Sequence, residues 1–495
     1  MPEIYPNRKE YSLLAKKYNK IPVYIELPGD LYTPISLFLK IRKGPYQFLL
    51  ESAVSGKYLG RYSFMGTSDQ AISCKDYKIF FRKKDKIIEE ITKEQPLNYL
   101  RDYFKKIRAY HHKDLPPFVN GMVGYFGYDS IQYFEKINLA SDDELQLKDF
   151  ELIIADNLIV YDNLTNKLFL IYSPLIASPG EVITIYEKAE IVLKKMADQI
   201  KSALPQELSL KIEKNKDRII YRSNFSKEKF RQEVERAKKY IYEGDIFQVV
   251  LSQRLKVGLE GDSFSLYRSL RAINPSPYMF YLKCDQAEII GSSPEIQVQL
   301  TDNQVTVRPI AGTRPRGASP KEDKLNEKSL LADQKELAEH LMLVDLGRND
   351  VGRVCQGGSV KLDTFQAIEY YSHVMHIVSN VVGQLDTSYD MFDLIKATFP
   401  AGTVSGAPKI RAMEIISQLE PARRGIYSGL VGYLTFDNHL DSCIAIRTFV
   451  IKNKTVYLQA GAGIVADSIP ENEYYETLHK LKVLTRALER SGEQL

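Results

Sequence analysis

The stretch Gly121-Met-Val-Gly-Tyr-Phe-Gly-Tyr-Asp129 is echoed far down the chain by Gly429-Leu-Val-Gly-Tyr-Leu-Thr-Phe-Asp437. Five of the nine positions are identical, and the first two glycines keep their spacing. Both read as glycine-punctuated strands. An internal echo of this kind points to two related sheet halves built into one body, although convergent strand chemistry would leave the same trace.

Strand-like and helix-like runs alternate around these stretches. Residues 46–52 read as a buried strand ending on an acid and a hydroxyl, and 152–161 with 167–172 as a hairpin-like pair. A long amphipathic helix is expected over 182–204. Ser226 has the chemistry of an N-cap, with Phe230, Val234, Ala237 and Ile241 on one face after it. The lysine-rich stretch between those helices is the best boundary. It divides the chain into an N-terminal part (1–205), a connecting segment (206–222) and a second part (223–495) that carries more chemistry-bearing residues. The class that follows is α+β with substantial sheets.

A composition of 44% hydrophobic and 26% charged residues is that of a soluble globular protein. The net charge of +4 comes from interleaved acids and bases, so no nucleic-acid face is expected. No apolar run is long enough to span a bilayer, and the first residues lack a signal-peptide pattern. Cys74, Cys284, Cys355 and Cys443 are scattered without a C-x-x-C pair. A cytoplasmic location is expected.

Residues 399–414 run from an apolar segment through small residues to Pro408, where the first turn of a helix should begin. A glycine-rich turn into a helix N-terminus suits an anion; a plain tight connection fits equally well. Lys409 and Arg411 are further cations whose default role is on the surface. Glu336 and Glu339 are three apart on a helical pattern, and Glu473 and Glu476 repeat that spacing after Pro470. Two such pairs could converge on a hard divalent cation, magnesium rather than zinc, since no Cys/His set accompanies them; two solvated helix faces are the plainer reading. Leu341, Leu343 and Val344 favour a buried site for the first pair. His373 and His376 lie in an apolar run, sharing a face on a helix and opposing on a strand. Gly461-Ala462-Gly463 mimics a dinucleotide fingerprint, but no βαβ unit follows. A backbone cradle for a carboxylate suits it better, with Arg447 as a bidentate partner.

In their order these stretches resemble the chorismate-utilising enzyme family, within it the anthranilate synthase large-subunit branch. The carrying residues are 309–314 (Pro-Ile-Ala-Gly-Thr-Arg), 339–350, His373-Val-Met-His376, 399–414, Ile446-Arg-Thr448, Gly461-Ala-Gly463 and 471–477. The strong match spans about 226–488. The resemblance implies a composite sheet-and-helix sandwich of two intertwined halves. It also implies a lyase that adds ammonia to chorismate and eliminates pyruvate to form anthranilate, at the head of tryptophan biosynthesis.

By the same resemblance, Mg²⁺ is held by Glu339 and Glu476, with Glu336 and Glu473 close or water-mediated. Substrate is held by Gly312, Thr313, Tyr427, Arg447 and the amides of Gly461, Ala462 and Gly463, with Thr403 lining the pocket. Glu295 is the implied proton donor and His376 the base. Gln248 stands where water-adding relatives carry a lysine, and it cannot act as a base. Ala311 stands where the aminodeoxychorismate branch often carries a nucleophilic lysine. No cysteine sits in an amidotransferase elbow, so a separate glutamine amidotransferase subunit is implied, hence a hetero-oligomer. Tryptophan inhibition is implied through Glu51, Ser52, Pro277, Tyr278 and Met279. The alternatives are an aminodeoxychorismate synthase large subunit and a non-catalytic paralogue that binds chorismate or tryptophan.

Overall fold

The computed structural model describes residues 2–491 apart from 54–59, 85, 205–209, 213, 216–217 and 372–373. Part of the connecting segment expected at 206–222, and His373, therefore lie outside the described residues. Two large sheets, of 13 and 12 strands, dominate the fold, and every described strand pair within them is antiparallel.

Sixteen of the strands form a repeat. The first eight are β1 (Tyr46–Glu51), β2 (Tyr62–Ser68), β3 (Gln70–Lys75), β4 (Lys78–Lys83), β5 (Gly121–Phe126), β6 (Phe150–Ile154), β7 (Asn157–Asp162) and β8 (Lys167–Tyr172). The second eight are β9 (Tyr278–Lys283), β10 (Glu288–Ser293), β11 (Ile296–Thr301), β12 (Gln304–Val307), β13 (Leu430–Thr435), β14 (Leu440–Ile444), β15 (Thr448–Lys452) and β16 (Thr455–Ile464). Within one sheet the order is β8-β7-β2-β1-β9-β10-β15-β16, and within the other β4-β3-β6-β5-β13-β14-β11-β12. Each order reads outward from its centre in the same sequence on both sides. Both sheets thus contain strands from both parts of the chain, joined at β1–β9 and at β5–β13.

The echoed stretches meet at the second of these joints, where Gly432 faces Gly124 and Thr435 faces Gly121. Packing explains both preserved glycine positions. A Cβ would lie 1.9 Å from the Glu151 carbonyl oxygen at Gly124 and 2.1 Å from that of Asp441 at Gly432. At Gly121 and Gly429 it would meet the Leu434 and Phe126 oxygens at 2.1 and 2.3 Å. Such distances leave no room for any side chain without moving backbone.

The single strand expected over 152–161 is two strands. β6 and β7 lie in different sheets, and the chain crosses between them at Ala155 and Asp156. An unbroken apolar run hides such a crossing, because both strands are buried. Ser226 caps the helix Lys227–Tyr242 through its Oγ, which accepts from the Lys229 amide at 3.1 Å. Three further helices frame the cleft described below: α1 (Gln334–Gly352), α2 (Lys409–Leu419) and α3 (Pro470–Ser491). Pro408 stands at the N-cap of α2, one residue earlier than expected, with no side-chain cap. No described helix is long and apolar enough to cross a membrane.

Candidate active site

His376 lies on the strand Val374–Gln384, which pairs with Ile310–Pro315 so that Thr313 faces it. The pairing slips at Gly312, whose φ of +69° favours glycine. There the Gly312 carbonyl turns to within 3.0 Å of His376 Nδ1, and the Thr313 hydroxyl lies 3.1 Å from the same nitrogen. A carbonyl can only accept, so the proton is assigned to Nδ1 and the Nε2 lone pair is left free. Burial lowers the His376 pKa, which favours this neutral form. A Cβ on Gly312 would sit 3.2 Å from Glu336 Oε2, so this one backbone turn lies between the histidine and the acids of α1.

Glu295 and Arg447 occupy the points where the chain crosses from β10 to β11 and from β14 to β15. Burial pushes the Glu295 carboxyl up to about 7, against the opposing pull of Thr403, Arg447 and Lys480. It is therefore half protonated near neutrality, as a proton donor requires. The Thr403 hydroxyl is buried and makes no hydrogen bond of normal geometry among the described residues. Arg447 has φ +50°, a conformation that costs a non-glycine residue free energy and often marks a site. Burial draws its pKa downward, and Glu295 and Tyr371 are the anionic and phenolic groups nearest to it in effect. A half-buried guanidinium without an ion pair among the described residues is suited to an incoming carboxylate.

The opposite wall is the pairing of β16 with the long strand Gln248–Gly261. Gln248 stacks its amide so closely on Gly463 that a Cβ there would lie 2.6 Å from Nε2. At Gly461 a Cβ would meet the Tyr427 hydroxyl at 3.0 Å. Beneath this wall is Arg424, missed in the sequence although its partner Glu420 stands four residues before it. Its guanidinium donates to Glu420, to the Val404 carbonyl at 2.7 Å and to the Val250 carbonyl at 2.6 Å, while lying 5.5 Å from the Tyr427 ring. One buried cation thereby ties the segments carrying Thr403, Gln248 and Tyr427.

The four carboxylates face one another from α1 and α3, but not as a buried site. Glu339 and Glu476 are exposed and Glu336 and Glu473 half-buried. The apolar neighbours did not enclose the first pair, because Leu341 itself points to solvent at 43% exposure. The local protein wall and the charges of Glu336 and Glu476 still raise the Glu339 pKa, and Glu473 is raised by burial and by Glu476. Glu476 pairs with Lys480 at 2.8 Å, and Glu336 with Arg314 at 3.2 Å. Lys480 also donates to the Gly461 carbonyl at 2.9 Å, joining the acids to the glycine wall. Its position four residues after Glu476 was the available signal. Among the described residues no three acidic, histidine or cysteine side chains are close enough to enclose a cation.

Lys409 is not on the surface. It is held in a 2.5 Å ion pair with the largely buried Asp350 of α1. Arg411 pairs with Asp245 at 2.6 Å. These basic side chains fill the start of α2, so its N-terminus is a packed connection between helices.

A second cavity, of about 730 Å³, opens at the β1–β9 joint. Glu51, Ser52, Pro277, Tyr278 and Met279 all line it. Glu51 is fixed there by the Tyr267 hydroxyl at 2.7 Å and by Arg271, and Tyr278 donates to Asp441 at 2.8 Å.

A family model for chorismate binding enzymes matches residues 60–486. The chain belongs to the chorismate-binding enzyme family. Among its relatives there, it is 48% identical over 489 residues to the anthranilate synthase component 1 of Aquifex aeolicus, covering 98% of each chain. It is 44% identical over 493 residues to that of Acetivibrio thermocellus, covering 99% of each. The crystal structure of anthranilate synthase component I from Streptococcus pneumoniae matches with a TM-score of 0.77 at 35% identity, covering 93% of this chain and 98% of that one. MenF, the menaquinone-specific isochorismate synthase of Escherichia coli, shares the fold at a TM-score of 0.69 and 19% identity, covering 96% of this chain and 98% of that one.

Proposed function

We propose that this chain is a synthase component that converts chorismate and ammonia to anthranilate and pyruvate. The observation that carries this reading is Gln248: a carboxamide without basicity packs on the glycine wall where a water-activating lysine would otherwise stand. Ammonia brings its own lone pair and needs no such base. Ala311, buried beside Gly312, offers no nucleophile for a covalent route.

Arg447, Tyr427 and the 461–463 backbone would receive one substrate carboxylate. Glu295, poised near 7, would give its proton to the departing 4-hydroxyl as nitrogen bonds to ring carbon 2. His376 Nε2 would then take the ring-carbon-2 proton as pyruvate leaves and the ring becomes aromatic. Glu339 and Glu476, with Glu336 and Glu473, would supply the hard oxygen donors that Mg²⁺ prefers once α1 and α3 draw them closer than in the structure described here, where Glu476 is paired with Lys480 and Glu336 with Arg314. Bound there, the ion would clamp the second carboxylate and offset its charge. A partner glutaminase subunit would supply ammonia, in keeping with the component numbering of the relatives.

The cavity at the β1–β9 joint is proposed to take tryptophan as a feedback inhibitor, since its apolar lining suits an indole ring and it straddles both halves. The test of the whole reading is anthranilate fluorescence from chorismate, ammonium and Mg²⁺, with and without tryptophan. Chorismate consumed without anthranilate would favour the aminodeoxychorismate branch; chorismate left intact would favour a binding protein.

A further inference from the structure

A cavity of about 50 Å³ is lined in part by Glu295. Gln297, Arg308, Asp350, Thr398 and Thr403 are among its lining residues, whereas His376, Tyr427, Arg447 and the 461–463 turn are not. Of the residues assigned to the cleft, Glu295 and Thr403 alone line it. Two buried polar atoms of its lining residues have no partner among the described residues, Gln297 Oε1 and Arg308 Nε, while Thr403 Oγ1 lies against Glu295. Gln297 is only 3% exposed, and its Nε2 donates to the Thr398 carbonyl at 2.9 Å, which leaves Oε1 as the unpaired acceptor. Asp350 of α1 lines the cavity and is paired with Lys409, whose Nζ lies 3.4 Å from the same Thr398 carbonyl.

Buried polar atoms are rarely left unpaired, and ordered water is the usual partner where none exists in the protein. One water needs roughly 10–15 Å³ of such space and two to four polar partners. The cavity has room for more than one, and donors and acceptors for them.

We propose that this cavity holds a short file of ordered water that returns a proton to Glu295 after each turnover. The inference rests on the proposed role of Glu295 as acid. When the bond from ring carbon 4 to oxygen breaks, the Glu295 proton moves to that oxygen, which departs as water and leaves a carboxylate. The nitrogen bonded to ring carbon 2 sheds one proton as it becomes a neutral amine. That proton passes to solvent, and solvent returns one to Glu295 through the cavity, so none is consumed. Leu346, Gly347, Ala401 and Gly402 are half-buried residues of the lining; Leu346 packs on Gly402 there, and solvent would enter past it. The charged groups acting on Glu295 are Arg447 and Lys480, and Arg308 and Asp350 line the cavity with it. Glu369 fixes Arg308 through Nη2.

Gln297→Met tests this, because it removes the acceptor at a residue outside the cleft; it also removes the donor to the Thr398 carbonyl, so folding is checked alongside. The expected result is a fall of about tenfold in kcat with ammonium, a chorismate KM within about twofold of the parent, and a larger solvent deuterium effect on kcat. Rising imidazole buffer should restore part of the rate. A folded variant with unchanged kcat and isotope effect overturns the proposal, as does a loss that no buffer restores and that raises KM. Should the variant fail to fold, magnetic relaxation dispersion of water on the unaltered protein, backed by a high-resolution crystal structure, decides: long-lived waters beside Gln297 support the file, and a dry cavity overturns it. If the unaltered chain makes no anthranilate, the functional reading fails by itself and the relay falls with the acid.

Discussion

The two halves of the molecule share a strand order but not a chemistry. In the first half the sheets end in plain edge strands, Val23–Pro28 beside β8 and Lys86–Thr92 beside β4. In the second half the equivalent edges carry the long strand Gln248–Gly261 beside β16 and the strands Ile310–Pro315 and Val374–Gln384 beyond β12. Gln248, Gly312, Thr313 and His376 all lie on these additions. The crossings between sheets differ as well. The second half places Glu295 and Arg447 there, and the first places Asp69 and Asp156, of which Asp156 is taken by Lys20 at 2.6 Å. Duplicated strands supply the scaffold, and residues added at its edges and crossings supply the site.

The largest effect should come from the acids that only the second half carries. Glu339→Gln or Glu476→Gln should lower anthranilate formation by about 10³-fold or more, with folding intact by circular dichroism. Near-normal turnover in either variant would remove the metal assignment. His376→Ala should cost about 10²–10⁴-fold and let the aminated, non-aromatic intermediate build up, visible by chromatography. If no chorismate is consumed at all, His376 serves the first step or the fold.

The pH dependence separates acid from base. His376 has a lowered pKa, so it stays neutral and competent as pH falls to its ordinary value of 6.5 and somewhat below. Glu295 must be protonated, so kcat/KM per free ammonia should fall as pH rises through about 7. The stability sign is the reverse of the usual carboxylate. A folded pKa raised from 4.5 to about 7 means the favourable protonated state is kept below 4.5 and lost as pH rises through about 7. Glu295→Gln should therefore melt higher than the parent at pH 8 and equally at pH 4, while losing activity. Equal melting at both would show that Glu295 is not desolvated.

The smallest effect on chemistry, and a direct test of the joint, is Gly124→Ala set beside Gly432→Ala. Both should destabilise by about 1–3 kcal/mol or more in urea titrations, because each Cβ meets a carbonyl oxygen. A neutral result for one alone would break the equivalence of the halves.

The echo at 121–129 and 429–437 was readable because sterics fix both glycine positions; Glu51 and Met279 share one cavity because their strands pair directly, which only the structure shows. The E-x-x-E spacing placed the acids on two helices, but not their exposure, which depends on how Leu341 is turned. The carbonyl contacts of Arg424 and the Asp350–Lys409 pair could not be read at all. Each is defined by carbonyls or charges from distant segments, and no local period records such a meeting.

The central claim is that the second-half edges form a site that aminates chorismate. Purified protein mixed with chorismate, Mg²⁺ and ammonium at mildly alkaline pH should develop anthranilate fluorescence that requires Mg²⁺ and slows when tryptophan is added. Chorismate that persists unchanged under those conditions would contradict the account.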